Sequence, residues 1–230
     1  MPNVTISVEE PDGWGVYMDR NEHDYSFASL RDFNTADETW AGSLWHGQIY
    51  DDNDGDDYYR LHRAYMWFDT SSIPDGATIN SAEISAEGIN GQDGNYGTCY
   101  TGFFLGSSSS YPTMSENKDN YDIDRVGTRV SDYTAFYRHE RKTVTLYSDT
   151  YSEISEGDYL KLYIISKRDM QDNYVDYETV AQWFDTGSGD NIHLNVDYNP
   201  PVTIDGENVQ DITIDGNSVQ GLTIDGQAIW

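Results

Sequence analysis

The chain has a single cysteine, Cys99, so no disulfide can form within it and no cysteine-based zinc cluster can be built. Lysine is nearly as scarce, with only Lys118, Lys142, Lys161 and Lys167, and the basic residues total 13 against 41 acidic ones. So acidic a surface is a poor partner for nucleic acid, whose affinity comes from basic contacts to phosphate, and for direct membrane contact. No apolar run approaches the ~20 residues of a membrane-crossing helix. The opening Met1–Glu10 is strand-like and acidic and does not resemble a secretory leader. Synthesis in the cytoplasm is therefore expected, with export only as part of a larger object or from a trimmed precursor. Helical periodicity is almost missing, and Tyr133–Arg141 is the one stretch where a short helix is expected.

Catalytic signatures are missing too. His23, His46, His62, His139 and His193 are scattered, with no His-x-x-x-His or His-Glu-x-x-His spacing. There is no Gly-x-Ser-x-Gly elbow, Walker loop or dinucleotide-binding glycine motif. Paired carboxylates can hydrolyse glycosides, but among 41 acids some pair always has a suitable spacing, so that signal discriminates nothing. The chain is read as non-enzymatic.

What the chain has in abundance is acid and aromatics. Its formal net charge is -28, and 29 aspartates stand against 12 glutamates. At ordinary ionic strength such a surface repels itself and weakens the compact state. In molar salt the Debye length falls to about 3 Å and the repulsion is screened. Short hydrated carboxylates with few lysine stems are the surface chemistry of a halophile. High charge with low hydropathy also describes disordered chains, but aromatics make up 14% of the residues, with 19 Tyr and 6 Trp. These need a core.

Apolar and polar residues alternate over Val4–Val8 and Thr78–Ala86, and Arg63–Asp69, Cys99–Leu105, Thr143–Tyr147, Tyr159–Ser166, Val180–Phe184 and Ile192–Tyr198 are further strand candidates. Ile79, Ala82, Ile84 and Ala86 are expected inward, as are Leu160, Leu162 and Ile164 on one face. Between Asp12 and Asp57 we expect short strands, around Gly15–Tyr17 and Trp45–Tyr50, joined by long loops. Pro74-Asp75-Gly76 marks a turn. Many strands with Gly, Asp and Asn turns predict an all-β fold, a jelly-roll-like antiparallel β-sandwich over residues 1–198. Its N-terminal strand, 3–9, is a candidate assembly arm. Asn199-Pro200-Pro201 ends it, since consecutive prolines stop strand pairing. Residues 199–230 then hold three ten-residue copies beginning at Val202, Ile212 and Leu222, each reading apolar-Thr-Ile-Asp-Gly before a second short strand. Asp-Gly is a strong hairpin signal, which predicts a small β-meander or prism for assembly.

Two groups of residues are candidate sites. Asp51, Asp52, Asp54, Asp56 and Asp57 offer the clustered oxygens that a hard cation such as Ca²⁺ takes from a flexible loop. The run departs from an EF-hand, with Asp56 in place of the glycine and His62 in place of the terminal Glu. A solvated loop is the competing reading, and beyond this Ca²⁺ the sequence suggests no cofactor. Trp40, Trp45, Tyr58, Tyr59 and Tyr100 fall in loop-rich or strand-end contexts where rings can stack on sugar faces. The competing reading places Trp45 and Tyr100 in the core. Trp14, Trp67 and Trp183 sit in strand-like segments and are expected in the core. Arg63 is expected to be structural and paired with a carboxylate.

The stretch Tyr65–Ser85 resembles the core motif of DNRLRE-type domains, which are jelly-roll sandwiches similar to carbohydrate-binding modules. Arg63, Phe68, Asp69, Ile73, Pro74, Gly76, Ala77, Thr78, Ile79, Ser81 and Ala82 match the pattern, and Ile192–Tyr198 resembles the closing strand. The likeness could extend over residues 12–198, but only residues 60–88 carry specific motif. The C-terminal copies, ending in Ile229-Trp230, resemble the short repeats that finish minor structural proteins of tailed phages. With the acidic composition, these resemblances imply a virion surface protein of a haloarchaeal virus: a capsid turret, decoration or tail-fibre component. The expected partners are further copies of itself, as a trimer or pentamer, other virion proteins, and a host surface glycan or glycoprotein. The alternative is a secreted or cell-surface carbohydrate-binding module.

Overall fold

In this computed structural model the described residues are 2–8, 16–23, 26–41, 43–53, 56–89, 98–106, 121–137, 139–155, 159–174, 179–185, 192–204, 207–209, 213–214, 217–218, 223–224 and 227–228. For 16–23, 40–41, 43, 52–53, 56–57, 89, 155, 183, 185 and the residues from 202 onward, the description covers the backbone alone.

Thirteen strands are linked by continuous, wholly antiparallel hydrogen bonding: β1 (Asn3–Ser7), β2 (Val16–His23), β3 (Glu38–Ala41), β4 (Ser43–Asn53), β5 (Asp56–Asp69), β6 (Thr78–Ile89), β7 (Tyr100–Gly106), β8 (Val126–Arg129), β9 (Thr134–Ala135), β10 (Glu140–Thr145), β11 (Tyr159–Ser166), β12 (Val180–Asp185) and β13 (Ile192–Asn199). The sheet folds over into two layers. One runs β1-β13-β6-β10 and the other β5-β11-β7-β8. Numbered in chain order, those eight strands read 1-8-3-6 and 2-7-4-5, the strand order of a jelly roll. The remaining strands are additions. β2, carrying β3, lies along one edge of β5. β4 and β12 connect the first half of β5 to the end of β6.

The core follows from alternation. Ala64, Met66 and Phe68 of β5 and Leu160, Leu162 and Ile164 of β11 face Ala82, Ile84, Ala86, Leu194 and Val196 of the other layer. Each large apolar side chain buried this way contributes about 1.5–3 kcal/mol. The opposite face of β5 is buried as well. Tyr59, Leu61, Tyr65 and Trp67 form a second cluster with Tyr163, Ile165 and Phe104. The short helix α1 (Phe27–Arg31) covers it with Phe27 and Leu30, which lie one turn apart on one face. The Ser26 hydroxyl caps α1, accepting from the Ser29 N–H at 3.2 Å. Two more short helices are α2 (Tyr151–Ser155) and α3 (Lys167–Met170).

Ile79 and Ala82 both face inward, although strict alternation would place them on opposite faces. The register explains this: Tyr198 pairs with Ile79 and Asp197 with Ser81, so Asn80 is an extra residue in a bulge. The Pro74–Ala77 turn closes as expected, with the Ala77 N–H donating to the Pro74 carbonyl at 3.0 Å and Gly76 at φ 74°. Two expectations fail. Tyr133–Arg141 is not helical: it carries β9 and the start of β10, joined through His139 at φ 57°. The spacing of Tyr133, Phe136 and Tyr137 mimics a helical face, but Phe136 is buried edge-on against Phe184 at 4.9 Å. The segment 12–57 is not mainly loop, because β2 and β4 span 8 and 11 residues.

Beyond Pro201, each ten-residue copy forms one two-stranded hairpin: β14 (Val202–Ile204) with β15 (Glu207–Val209), β16 (Thr213–Ile214) with β17 (Asn217–Ser218), and β18 (Thr223–Ile224) with β19 (Gln227–Ala228).

Candidate binding pocket

Arg63 lies where the edge partner of β5 changes from β4 to β11. Its side chain is fully buried, which is tolerable only with complete pairing. The partner is Asp169 of α3, equally buried. Arg63 Nε donates to Oδ2 at 2.6 Å and its second terminal nitrogen to Oδ1 at 2.9 Å. The guanidinium also donates to the Tyr121 and Arg31 carbonyls and lies 4.3 Å from the Tyr121 ring centre. Burial alone would lower its pKa, but the Asp169 carboxylate more than offsets this and holds the guanidinium charged. Tyr174 donates its hydroxyl to Asp169 at 2.5 Å. Burial, then the adjacent carboxylate, push that phenol's pKa up. Arg63 is thus paired with a carboxylate as expected, and the partner is identified.

This buried pair anchors α3. The Ser166 hydroxyl accepts from the Asp169 N–H at 3.2 Å at the start of the helix. Asp172, at φ 50°, ends it, and the Asn173 N–H returns to the Arg168 carbonyl at 3.0 Å. With Asp169 turned inward, Lys167 and Arg168 line a half-open cavity of ≈ 190 Å³, together with Thr98, Cys99, Tyr100, Ser166, Gln171, Asn173 and Val180. The cavity sits where β7, β11 and α3 of the jelly roll meet the added strand β12. Its placement follows from pairing, since Ser166 is opposite Thr101, which brings the residues flanking each strand end together. Tyr100 is 49% exposed, and Lys167 Nζ lies 5.8 Å from its ring centre and 5.7 Å from that of Tyr133. These are cation–π distances.

The floor is uncharged. Cys99 is buried, and burial pushes its thiol up to about 12. Beneath it, His46 Nε2 and the Thr101 hydroxyl share a 2.7 Å hydrogen bond. Burial, aided by nearby His62, depresses His46 to about 3 and keeps the imidazole neutral.

Of the residues expected to contact a ligand whose side chains are described, Tyr100 alone lines this cavity. Tyr59 is instead a core residue, 6% exposed, packed edge-on against Phe27 at 5.0 Å. Its position on the inward-alternating face of β5 leaves no ring face open. Tyr58, half-buried, carries the Arg60 guanidinium 4.8 Å above its ring. Trp45 is half-buried against His62 at 5.9 Å. The Trp40 backbone pairs with Tyr17 in β3, and its side chain lies outside the described residues, as does that of Trp183. Trp14 is outside them entirely. Trp67 is in the second core, as expected.

The acidic run is not the loop the sequence suggests. Its described residues are paired where β4 meets β5, with Asp51 opposite Tyr58, Asp52 opposite Asp57 and Asn53 opposite Asp56. Asp54 and the side chains of Asp52, Asp56 and Asp57 lie outside the described residues. Among the described residues, no group of three or more His, Cys, Asp or Glu is placed to hold a metal ion. None of the described helices is long and apolar enough to cross a membrane. Neither a family model nor a curated protein matches the chain.

Proposed function

We propose that this chain is a non-enzymatic surface component of a virus particle made for high salt, a capsid turret, decoration or tail-fibre protein, and that its sandwich contacts host surface glycan. The observation that carries this reading is the pairing of a jelly roll with a tail of three in-register hairpin repeats, on a chain of net charge -28. A jelly roll is a rigid display scaffold with loops gathered at its ends, and a hairpin too small to be stable alone gains from packing against further copies. Symmetric copies would turn weak glycan contacts into avidity. The second reading is a cell-surface or secreted carbohydrate-binding module of a halophile, favoured by the exposed Tyr100 ring beside a polar cavity.

Mass spectrometry and antibody labelling of density-purified particles, kept in the salt of their culture, separate the two. Banding with intact particles and labelling of a vertex or tail supports the virion reading. Recovery on cells or in the medium, with none on particles, overturns it in favour of the binding module.

A further inference from the structure

We propose that the outer edge of β1 is a contact between two copies of this chain, in which their β1 strands pair antiparallel about a two-fold axis at Thr5 and join two sandwiches into one continuous sheet. The inference goes beyond the reading above and stands on the edge itself.

The first argument is a contrast between edges. Among the described residues, five strands of the thirteen-stranded sheet pair on one side only: β1, β3, β8, β9 and β10. Open edges invite pairing, and proteins blunt them with charge, irregularity or shortness. β3 carries Glu38, and β10 carries Glu140, Arg141 and Lys142. β8 carries Arg129 and shifts register against β7, and β9 is two residues long. β1 has none of these devices. Its register against β13 is unbroken from Asn3 to Ser7, and Pro2–Val8 holds no charged residue in a chain with 41 acids and 13 bases. Two bodies of charge -28 repel each other. Where the Debye length is about 3 Å, that repulsion acts only near contact, so an uncharged edge is where two copies can close.

The second argument is register. The Val8 N–H donates to the Ile192 carbonyl at 3.3 Å, and the Tyr198 N–H donates to the Pro2 carbonyl at 3.3 Å. In an antiparallel ladder such bonded pairs alternate with unbonded ones. Val4 and Ile6 therefore bond to β13 as well, and the N–H and C=O groups of Asn3, Thr5 and Ser7 point away from it. That outward set is symmetric about Thr5. Placing Thr5 opposite its counterpart sets Asn3 opposite Ser7 of the second copy, and each facing pair exchanges two backbone bonds, the same patch serving both copies. The side chains agree. Asn3 and Thr5 are exposed, with the Thr5 hydroxyl donating to Asn195 Oδ1 at 2.9 Å, and Thr opposite Thr is a favourable cross-strand pair. On the inner face Val4 is only half-buried, next to buried Ile6. The same pairing sets Val4 opposite Ile6 of the second copy, which carries the core across the axis and covers Val4.

The test uses the full chain in molar NaCl, with multi-angle light scattering across a concentration series. Thr5→Pro removes an N–H that β13 does not use, and an edge strand tolerates proline where its N–H faces outward. The variant should keep the far-UV spectrum and halve the particle mass. Thr5→Cys gives a readout that does not depend on that variant folding. Facing residues of a bonded pair lie about 5.5 Å apart at Cα, inside the disulfide range of about 4.4–6.8 Å, so mild oxidation should link two chains. Asn3→Cys should not self-link, because Asn3 faces Ser7, and buried Cys99 does not compete. A single-chain mass at every concentration overturns the proposal. So does a mass unchanged in folded Thr5→Pro, which assigns assembly to the C-terminal repeats, and so does linking through Asn3→Cys in place of Thr5→Cys. Particle-bound protein with no Thr5 link sinks this inference and leaves the virion reading standing. A Thr5-linked pair in protein not found on particles does the opposite.

Discussion

Removing both halves of the buried Arg63–Asp169 pair should cost about as much as removing either one, and far less than the sum of the two. Both side chains are fully buried and joined by two hydrogen bonds of 2.6 and 2.9 Å. Asp169→Asn leaves a guanidinium with no counter-charge, and Arg63→Met leaves a buried carboxylate whose nearest cation is Arg31, 3.9 Å away and partly exposed. Breaking a buried pair from one side costs about 3–5 kcal/mol. Replacing both, as Arg63→Met with Asp169→Leu, removes the charges together, and a buried pair so exchanged for apolar groups is often near neutral. Here three polar groups lose a partner: the Tyr121 carbonyl, the Arg31 carbonyl and the Tyr174 hydroxyl. At about 1 kcal/mol or somewhat more each, the double variant should lose about 3–4 kcal/mol, against about 8 for the sum of the singles. The coupling is then about 4 kcal/mol, read from urea unfolding of the four proteins in molar salt. Costs that add to within ~0.5 kcal/mol, as for independent sites, would refute the reasoning.

Other outcomes follow from the same geometry. His46 is depressed to about 3 in the fold, against about 6.5 unfolded. Between those values the unfolded chain binds a proton that the folded one refuses, so stability present above pH 6.5 falls as the pH drops toward 3, by up to ~1.4 kcal/mol per pH unit. His46→Gln should remove that slope from unfolding measured between about pH 6.5 and 5, and an unchanged slope would assign it to other groups. Gly47 has φ +116°, and a Cβ there would lie 2.3 Å from the Val180 carbonyl oxygen. Gly47→Ala should therefore cost at least ~2–3 kcal/mol by chemical denaturation, and a cost under ~0.5 would contradict the packing of β4 on β12. Lowering salt from molar to ~0.1 M lengthens the Debye length to about 10 Å and should lower the melting temperature. A constant value would sink the halophilic reading. Deleting residues 202–230 should leave the sandwich's far-UV spectrum and melting intact while changing assembly state by light scattering, whereas loss of folding would place the repeats in the main core.

The jelly roll was legible where a strand buries alternate residues, as β13 does, and where an unbroken apolar run marks a strand covered on both faces, as β11 does. Tyr159–Ser166 was read with its observed bounds, and Ile192–Tyr198 falls one residue short of β13. The bulge at Asn80 left no mark, since an extra residue in a ladder is a property of the pair of strands, not of one. The pairing of β4 with β5 was obscured by its acidic end, where Asp and Asn, residues depleted in strands, nonetheless sit in paired positions. The cavity was half visible. Tyr100 stood out as an aromatic at a strand end, but Lys167 and Arg168 are distant in sequence and reach it only through the pairing of β11 with β7. The signal available was two adjacent cations directly after an apolar strand, in a chain with 13 in all.

β5 places Ala64, Met66 and Phe68 in one core and Leu61, Tyr65 and Trp67 in the other. Neither core can be dissolved while the other keeps its central strand, so the sandwich and its α1 covering form one cooperative unit. Its slowest-exchanging amides should lie along β5 and open only on global unfolding. Any ligand held beside α3, which is tied to β5 through Asp169, stabilises that entire unit by mass action. Occupancy of a small rim site would then be readable as added amide protection in the opposite layer, with no movement between them.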